Sequence, residues 1–389
     1  MAAIAEVSRK STRTRLVELD ILRGFLLLWM TLTHLPTKVS ILSNQTFGFV
    51  SGAEGFIFLA GFMIGQLENR IEAKRGREAT YRDVGKRMLR VYFYHALLLV
   101  IAFTLVAAVG THYHRLALEN LLSFYIQHRG QAIAAAALLV YRPSLLDILP
   151  MYVIYLGLTP LARAIARRWG WDPVVYTSFA IWAAAQFGLR HFLYRAIDIP
   201  YMVVPEDSIG AFDMYAWQFL WMVGLALGTI YSEQLSERET SVSAAEAGRI
   251  PSWLFRLSVF IAAVFLLLRY SPVDRWMNPD SYGFLIDKWH LGPARVINFA
   301  AIAIVLVRYG QRLAALPVFA PLASLGRSSI EVFSVHVLCC LWADSLSHDA
   351  DPILPWWQQI VVLAVTLVAL FTTAQLHQFL SQRGKRAPA

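Results

Sequence analysis

The stretch 19-LDILRGFLLLWMTLTHLPTKVS-40 is an apolar run with a cation, Arg23, at one end and an imidazole, His34, at the other. The two are eleven residues apart. At 100° per residue that spacing is only about 20° short of three full turns, so both side chains share one helix face, about 16 Å apart along the axis. Asp20 lies one turn before Arg23 and is placed to pair with it. Taken singly, Arg23 suits a cation snorkelling to headgroups, and His34 suits a helix end before Pro36. Together they read differently, because ionisable groups inside a span usually line a functional cavity. Histidine is also the side chain best matched to proton transfer near neutral pH.

The bulk composition agrees with a membrane reading. Of the 389 residues, 57% are hydrophobic and 16% charged, where a soluble chain carries roughly a quarter charged. Mean hydropathy is +0.50. A span needs about 20 mostly apolar residues, and about ten segments qualify. They lie near 20–36, 47–67, 91–110, 145–165, 173–190, 212–231, 253–271, 293–308, 318–344 and 356–377. The expected fold is all-α: one polytopic membrane bundle over 1–389, with cytoplasmic tails at 1–17 and 380–389. The alanine-rich 131-QAIAAAALLVYRP-143 is short before Pro143 and reads as interfacial or re-entrant, with a further span as the alternative. The basic start followed by an apolar run also suits a signal peptide. No small-x-small cleavage site follows convincingly, so it is read as the first span.

The net charge of +9 would suggest nucleic acid in a soluble protein. Here the cations cluster between apolar runs, which marks topology, not nucleic-acid binding. Arg9, Lys10, Arg13, Arg15, the basic loop 70–90, Arg163, Arg167, Arg168, Arg238, Arg249, Arg256, Arg308, Arg312, Arg383, Lys385 and Arg386 fall on one side if both termini are cytoplasmic. The segment 232–252 reads as a mobile cytoplasmic linker. Cys339 and Cys340 are adjacent on a helix and point apart, so a bridge between them is not expected.

Two further segments carry polar groups into apolar surroundings. In 47-FGFVSGAEGFIFLAGFMIGQ-66, Glu54 stands among Gly48, Gly52, Gly55, Gly61 and Gly65. Glycines four apart let helices approach closely, so this segment is expected to bring a carboxylate into the bundle. The plainer role for Glu54 is a structural hydrogen bond. In 324-SLGRSSIEVFSVHVLCC-340, Arg327 and Glu331 are four apart and placed to neutralise each other, while Ser329 and His336 share a face. His336 is a candidate acid–base group, with interhelical hydrogen bonding as the plainer reading.

These segments together resemble the membrane acyltransferase type 3 superfamily. The resemblance rests on Arg23, ten residues, then His34; on 56-FIFLAGF-62; and on 325-LG-326 followed by 329-SIEVFSVH-336. In the last element Ile330, Phe333 and Ser334 stand where the pattern has Tyr, Tyr and Leu. Within that superfamily the chain is most similar to the OpgC branch, the succinyltransferases of osmoregulated periplasmic glucans. The residues that carry this are 18-ELDILRG-24, 53-AEGFIFLAGF-62, 146-LDILPMY-152, 216-AWQFLWMVGLALG-228 and 287-DKWHLGPARVINF-299.

The resemblance implies an O-acyltransferase of the bacterial inner membrane. It would move an acyl group from cytoplasmic acyl-CoA, succinyl-CoA or acetyl-CoA, to a hydroxyl of a periplasmic glycan. His34 would be the base or a temporary acyl carrier, Arg23 would meet the CoA phosphates or the thioester, and Glu54 would orient His34. No metal is implied, since the histidines show no ligand spacing in sequence. Candidate ligand contacts elsewhere are Arg87 and Arg90 beside the third span, and Asp147 and Tyr152 at the outer end of the fourth. Trp217 with Gln218 offers a stacking surface and an amide, and Lys288 lies in an outer loop. Each has a plainer alternative: positive-inside topology, a helix cap, an interfacial aromatic, a solvated loop. The lipid bilayer is a partner in this reading, and a homodimer or a complex with glucan-synthesis proteins stays open. A transporter relaying protons through Arg, Glu and His is the competing class, and a non-catalytic scaffold is a third.

Overall fold

The computed structural model describes residues 2–196, 204–240 and 250–386. Among the described residues the chain is all-helical, with no strand. In order the helices are α1 (Ala2–His34), α2 (Lys38–Ser43), α3 (Gly52–Arg75), α4 (Arg77–Ile101), α5 (Ala107–Tyr113), α6 (Leu116–Leu121), α7 (Ser123–Gln127), α8 (Arg129–Ala137) and α9 (Ile148–Trp169). There follow α10 (Asp172–Gln186), α11 (Leu189–Ala196), α12 (Met214–Thr240), α13 (Ser252–Tyr270), α14 (Pro279–Ile286), α15 (Pro293–Ala314), α16 (Leu322–Arg327), α17 (Ser329–Asp344) and α18 (Trp356–Arg386). A π turn over Ala102–Val106 runs α4 into α5. Five helical stretches among the described residues are long and apolar enough to cross a membrane: Arg77–Tyr113, Ile148–Trp169, Ser252–Tyr270, Pro293–Gly310 and Trp356–Arg383.

Several expected boundaries are corrected. Residues 2–17 of the first expected tail are helical, part of α1, and α18 continues to Arg386 through most of the second. The expected basic loop 70–90 is helix on both sides of one residue, Gly76, whose φ of +80° suits glycine and ends α3. Within 131–143 the helix is α8, Arg129–Ala137, nine residues long, and residues 138–143 are non-helical. At 1.5 Å per residue it is too short to span, so the further-span alternative falls. The second span starts late. Gly48 sits in a turn with φ +99°, and α3 begins after Ser51. The Glu54 carboxylate then accepts from the Ser51 backbone N–H (2.9 Å) and hydroxyl (2.6 Å). That is the reach-back half of a capping box, which satisfies a helix end where water is scarce. The ninth expected span is two helices, broken at Ser328 between α16 and α17. In the expected linker 232–252, α12 extends to Thr240, and residues 241–249 lie outside the described residues.

The chain forms two compact units. The first comprises Met1–Phe56, Ile250–Tyr270 and Asn298–Ala389; the second comprises Ile57–Arg249 and Ser271–Ile297. In the first, α1 packs along α16 and α17, and α18 packs along α16 and α17. Gly52 and Gly55 lie against Met30 and Leu26 of α1. In the second, α4 packs on α9, and α10 and α9 pack on α12. Here Gly61 and Gly65 press on the backbone of α12 at Trp221 and Leu225, while Gly224 and Gly228 press on α3 at Phe58 and Phe62. This is the close approach expected from Gly61 and Gly65, and it is reciprocal. Lipid tails are as apolar as leucine, so contact distance and hydrogen bonds, more than burial, hold such helices together.

At Gly224 an added methyl would overlap the Phe58 carbonyl oxygen and come within 3.0 Å of the Phe62 nitrogen. Gly224→Ala is therefore expected to destabilise the protein by about 1–3 kcal/mol, the usual cost of overpacking, seen as a lower melting temperature in detergent. Gly85→Ala, with open space around the position, should leave the melting temperature unchanged or slightly raised.

Candidate functional site

In the first unit, two helices meet backbone to backbone. A side chain on Gly24 would collide with the Leu322 carbonyl, and one on Gly326 would collide with the Asp20 carbonyl. Glycine at both positions lets α16 lie directly against α1. The consequence is local: Ser329, at the start of α17, reaches Arg23, whose Nη2 donates to the Ser329 hydroxyl. Asp20 lies within the electrostatic reach of both Arg23 and Arg327. Arg327 Nε donates to the Ala323 carbonyl (3.2 Å). The break at Ser328 interrupts the regular spacing on which an Arg327–Glu331 pair was expected. Glu331 faces His377 of α18, with Oε1 at 3.6 Å from Nε2.

Three turns along α1, the two imidazoles meet. The rings of His34 and His336 are 5.6 Å apart between centroids and tilted by 53°. His34 is half-buried, whereas His336 is buried. His34 Nδ1 lies 2.8 Å from the Met30 carbonyl. A carbonyl only accepts, so Nδ1 carries the proton and the lone pair of the neutral ring sits on Nε2. Phe333 packs beside His336 (5.6 Å) and stacks on Phe56 (6.1 Å). Two of the sequence elements that suggested a common family, Arg23 to His34 and 325–336, therefore meet in this unit, with Phe56 from the start of the other beside them.

The site gathers Asp20, Arg23, Ser329 and Arg327 at one end and His34 and His336 at the other. Glu54 is fully buried in its cap with Ser51. Sequence reasoning missed the contribution of α18. Besides facing Glu331, His377 places Nδ1 3.0 Å from the Ser328 hydroxyl, and Gln378 donates to the Ser324 carbonyl (2.9 Å). The signal was present as the polar run 371-FTTAQLHQ-378 inside an otherwise apolar helix.

The remaining candidates fall in the second unit. Trp217 is fully buried and donates from Nε1 to the Trp289 carbonyl (3.0 Å), so its ring is no open stacking surface. Gln218 accepts from the Ser178 hydroxyl (2.7 Å) and donates to the Ser178 carbonyl (2.8 Å), so its amide is a structural clasp. Tyr152 packs edge-on against Trp221. Arg87 donates to Asp83 and lies 3.8 Å from Glu68, so its charge is matched locally, whereas Arg90 is exposed. Nearby, burial would raise the Glu72 carboxyl, but its hydrogen bond to Arg163 and the charges of Arg163, Arg167 and Arg77 hold it below the usual range. Asp147 is buried and accepts from the Ala211 and Phe212 backbone N–H groups (3.1 and 3.4 Å). Lys288 lies over the Trp289 ring (5.1 Å). Next to it, the hydrogen bond between His290 Nδ1 and Asp287 (2.5 Å) raises the imidazole above its ordinary range.

The assignment of the His34 proton is open to direct measurement. Nitrogen-15 spectra of histidine-labelled protein, compared with His34→Ala to identify the signal, should show neutral His34 as the Nδ1–H form. A predominant Nε2–H form would contradict the geometry.

A family model described as OpgC protein matches residues 15–382. No curated protein and no solved structure matches the chain. The family match takes in nearly the whole chain, including α1, the α16–α17 break and the polar run of α18, and the chain therefore belongs to the OpgC protein family.

Proposed function

We propose that this protein is a multi-pass O-acyltransferase of the bacterial inner membrane that moves an acyl group, succinyl in the first instance or acetyl, from cytoplasmic acyl-CoA to a hydroxyl of a periplasmic glycan. Family membership supports the coarser part, a membrane glucan-modifying acyltransferase. The donor, the acceptor side and the ten-span topology with both termini cytoplasmic are part of the proposal. The observation that carries it is the single polar stripe of α1. Arg23 is anchored by Ser329 at one end, and His34 faces His336 at the other.

The chemistry asks for few groups. A sugar hydroxyl is a poor nucleophile until a base takes its proton. His34 Nε2 is the basic nitrogen once Nδ1–H is committed to Met30. The hydroxyl oxygen attacks the thioester carbon, its proton passes to Nε2, and the carbon–sulfur bond breaks to release the CoA thiolate. That thiolate takes up a proton as the imidazolium returns to neutrality. In the covalent variant Nε2 itself attacks the thioester, and the acyl group passes from the ring to the hydroxyl. Negative charge on the thioester oxygen needs a cation or donor. Arg23, held in place by Ser329 about 16 Å along the axis from His34, is too distant to meet that oxygen and suits the phosphates of CoA instead. His336 supports the position of the His34 ring. A transporter reading draws on one observation, the break at Ser328, because discontinuous helices recur at transporter sites.

Purified protein in nanodiscs, given labelled succinyl-CoA or acetyl-CoA with a glucan acceptor, should release free CoA and label the glucan as an ester. His34→Ala should lower the rate by about 10²–10⁴-fold, the usual worth of a positioned base, with folding unchanged by melting temperature. Arg23→Ala should raise KM for acyl-CoA, and Ser329→Ala should do so more weakly. Solute flux without thioester cleavage would replace this reading with the transporter.

A further inference from the structure

In the second unit, charged side chains converge where α9 and α12 begin. Arg142, Asp147 and Asp213 are all more than nine-tenths buried, at 5%, 1% and 0% exposure, and Arg190 is half-buried beside them. Their charges act on one another: Arg142 feels Asp147, Asp213 and Arg190, and Asp213 feels Arg190 and His290. Each carboxylate is clamped along one edge by backbone. Asp147 Oδ2 takes the Ala211 and Phe212 N–H groups, and Asp213 Oδ1 takes that of Tyr215 (2.8 Å). Arg190 Nη2 is similarly committed to the Glu206 carbonyl (2.7 Å). The opposite edges are unmatched. Among the described residues, Arg142 Nε and Nη1, Arg190 Nε, Asp147 Oδ1 and Asp213 Oδ2 are buried with no hydrogen-bond partner.

Native proteins rarely leave such atoms unsatisfied, and a cluster of them asks what completes it. The two guanidinium groups demand acceptors, and the two carboxylates demand donors. Their charges offset, so neither an anion nor a cation is favoured. A neutral molecule whose groups both donate and accept meets all of these demands, and hydroxyls on a rigid ring do so. The apolar complement is adjacent. The Trp289 carbonyl receives Asp213 N–H (2.9 Å) and Trp217 Nε1–H (3.0 Å), which fixes residue 289 beside the cluster. The residue is 45% exposed, with Lys288 over its ring (5.1 Å), an aromatic surface of the kind that covers the C–H face of a sugar ring.

We propose that Arg142, Asp147, Arg190 and Asp213, with the Trp289 ring, form a binding site for a neutral sugar of the glycan acceptor. The assignment to an acceptor rests on the function proposed above; the sugar site itself rests on the unmatched atoms. The test uses the full-length protein in nanodiscs with laminarin-derived and maltodextrin oligosaccharides as probes, read by saturation-transfer NMR and tryptophan fluorescence. Wild type should bind at least one probe saturably, and Asp213→Asn and Trp289→Ala should each weaken binding at least tenfold. Trp289→Ala removes a side chain that is only partly buried, so it stays informative if Asp213→Asn fails to fold. Gly85→Ala is the neutral control. Acyl-CoA thioester cleavage without sugar, measured in parallel, should be unchanged in Gly85→Ala. No saturable binding to any probe, or unaltered affinity in folded Trp289→Ala, overturns the proposal. Sugar binding that depends on Trp289 in a wild type that cleaves no thioester upholds the site and overturns the reaction.

Discussion

The contact on which the candidate site depends is the bare backbone meeting of α1 and α16 at Gly24 and Gly326. Each glycine lies against the other helix's carbonyl, with no room for a side chain. Two helices this close cannot slide without collision, so their relative register is fixed. That register determines which residue of α17 stands opposite Arg23, and it is Ser329. The same alignment carries His336 up to His34. A leucine-lined interface would leave more play, because long side chains reorganise and lipid tails compete for the same contacts.

The break at Ser328 complements this rigidity. A helix that ends inside the bundle exposes carbonyls and amides that lipid cannot satisfy. Here α18 helps supply partners, with His377 and Gln378 reaching Ser328 and Ser324. The start of α3 meets the same problem within itself, through Glu54 and Ser51. Polar residues in the apolar segments thus divide between completing interrupted backbone and standing along the stripe of α1.

That division explains what could be read from sequence. Arg23 and His34 were legible because eleven residues in a helix return to the same face, and the structure needs nothing else to align them. Gly61 and Gly65 were legible for a similar reason, since their spacing has few uses apart from close packing. The break at Ser328 was not legible. Leu325-Gly-Arg-Ser-Ser329 contains no proline, and one glycine does not end a helix. Glu54 was drawn into the apolar run because 47-FGFV-50 looks as hydrophobic as 56-FIFLAGF-62. Trp217 and Gln218 could not be placed, since whether an aromatic and an amide face a ligand or each other's backbone depends on distant partners such as Ser178 and Trp289. Arg142 and Asp213 escaped notice because each lies alone in its own loop and gains meaning only beside the other.

The hydrogen bond from His34 Nδ1 runs to its own helix, four residues back. The ring is therefore aimed by α1 itself, and Arg23 is carried on the same rod. Adding or deleting one residue anywhere between them would swing one side chain about 100° around the axis relative to the other. Exchanging an intervening leucine for another apolar residue would leave the alignment intact. Gly24 apart, the tolerance of this segment is thus one of identity and not of length: its ten intervening positions act as a ruler of which the other nine markings can be rewritten but whose number of divisions is set.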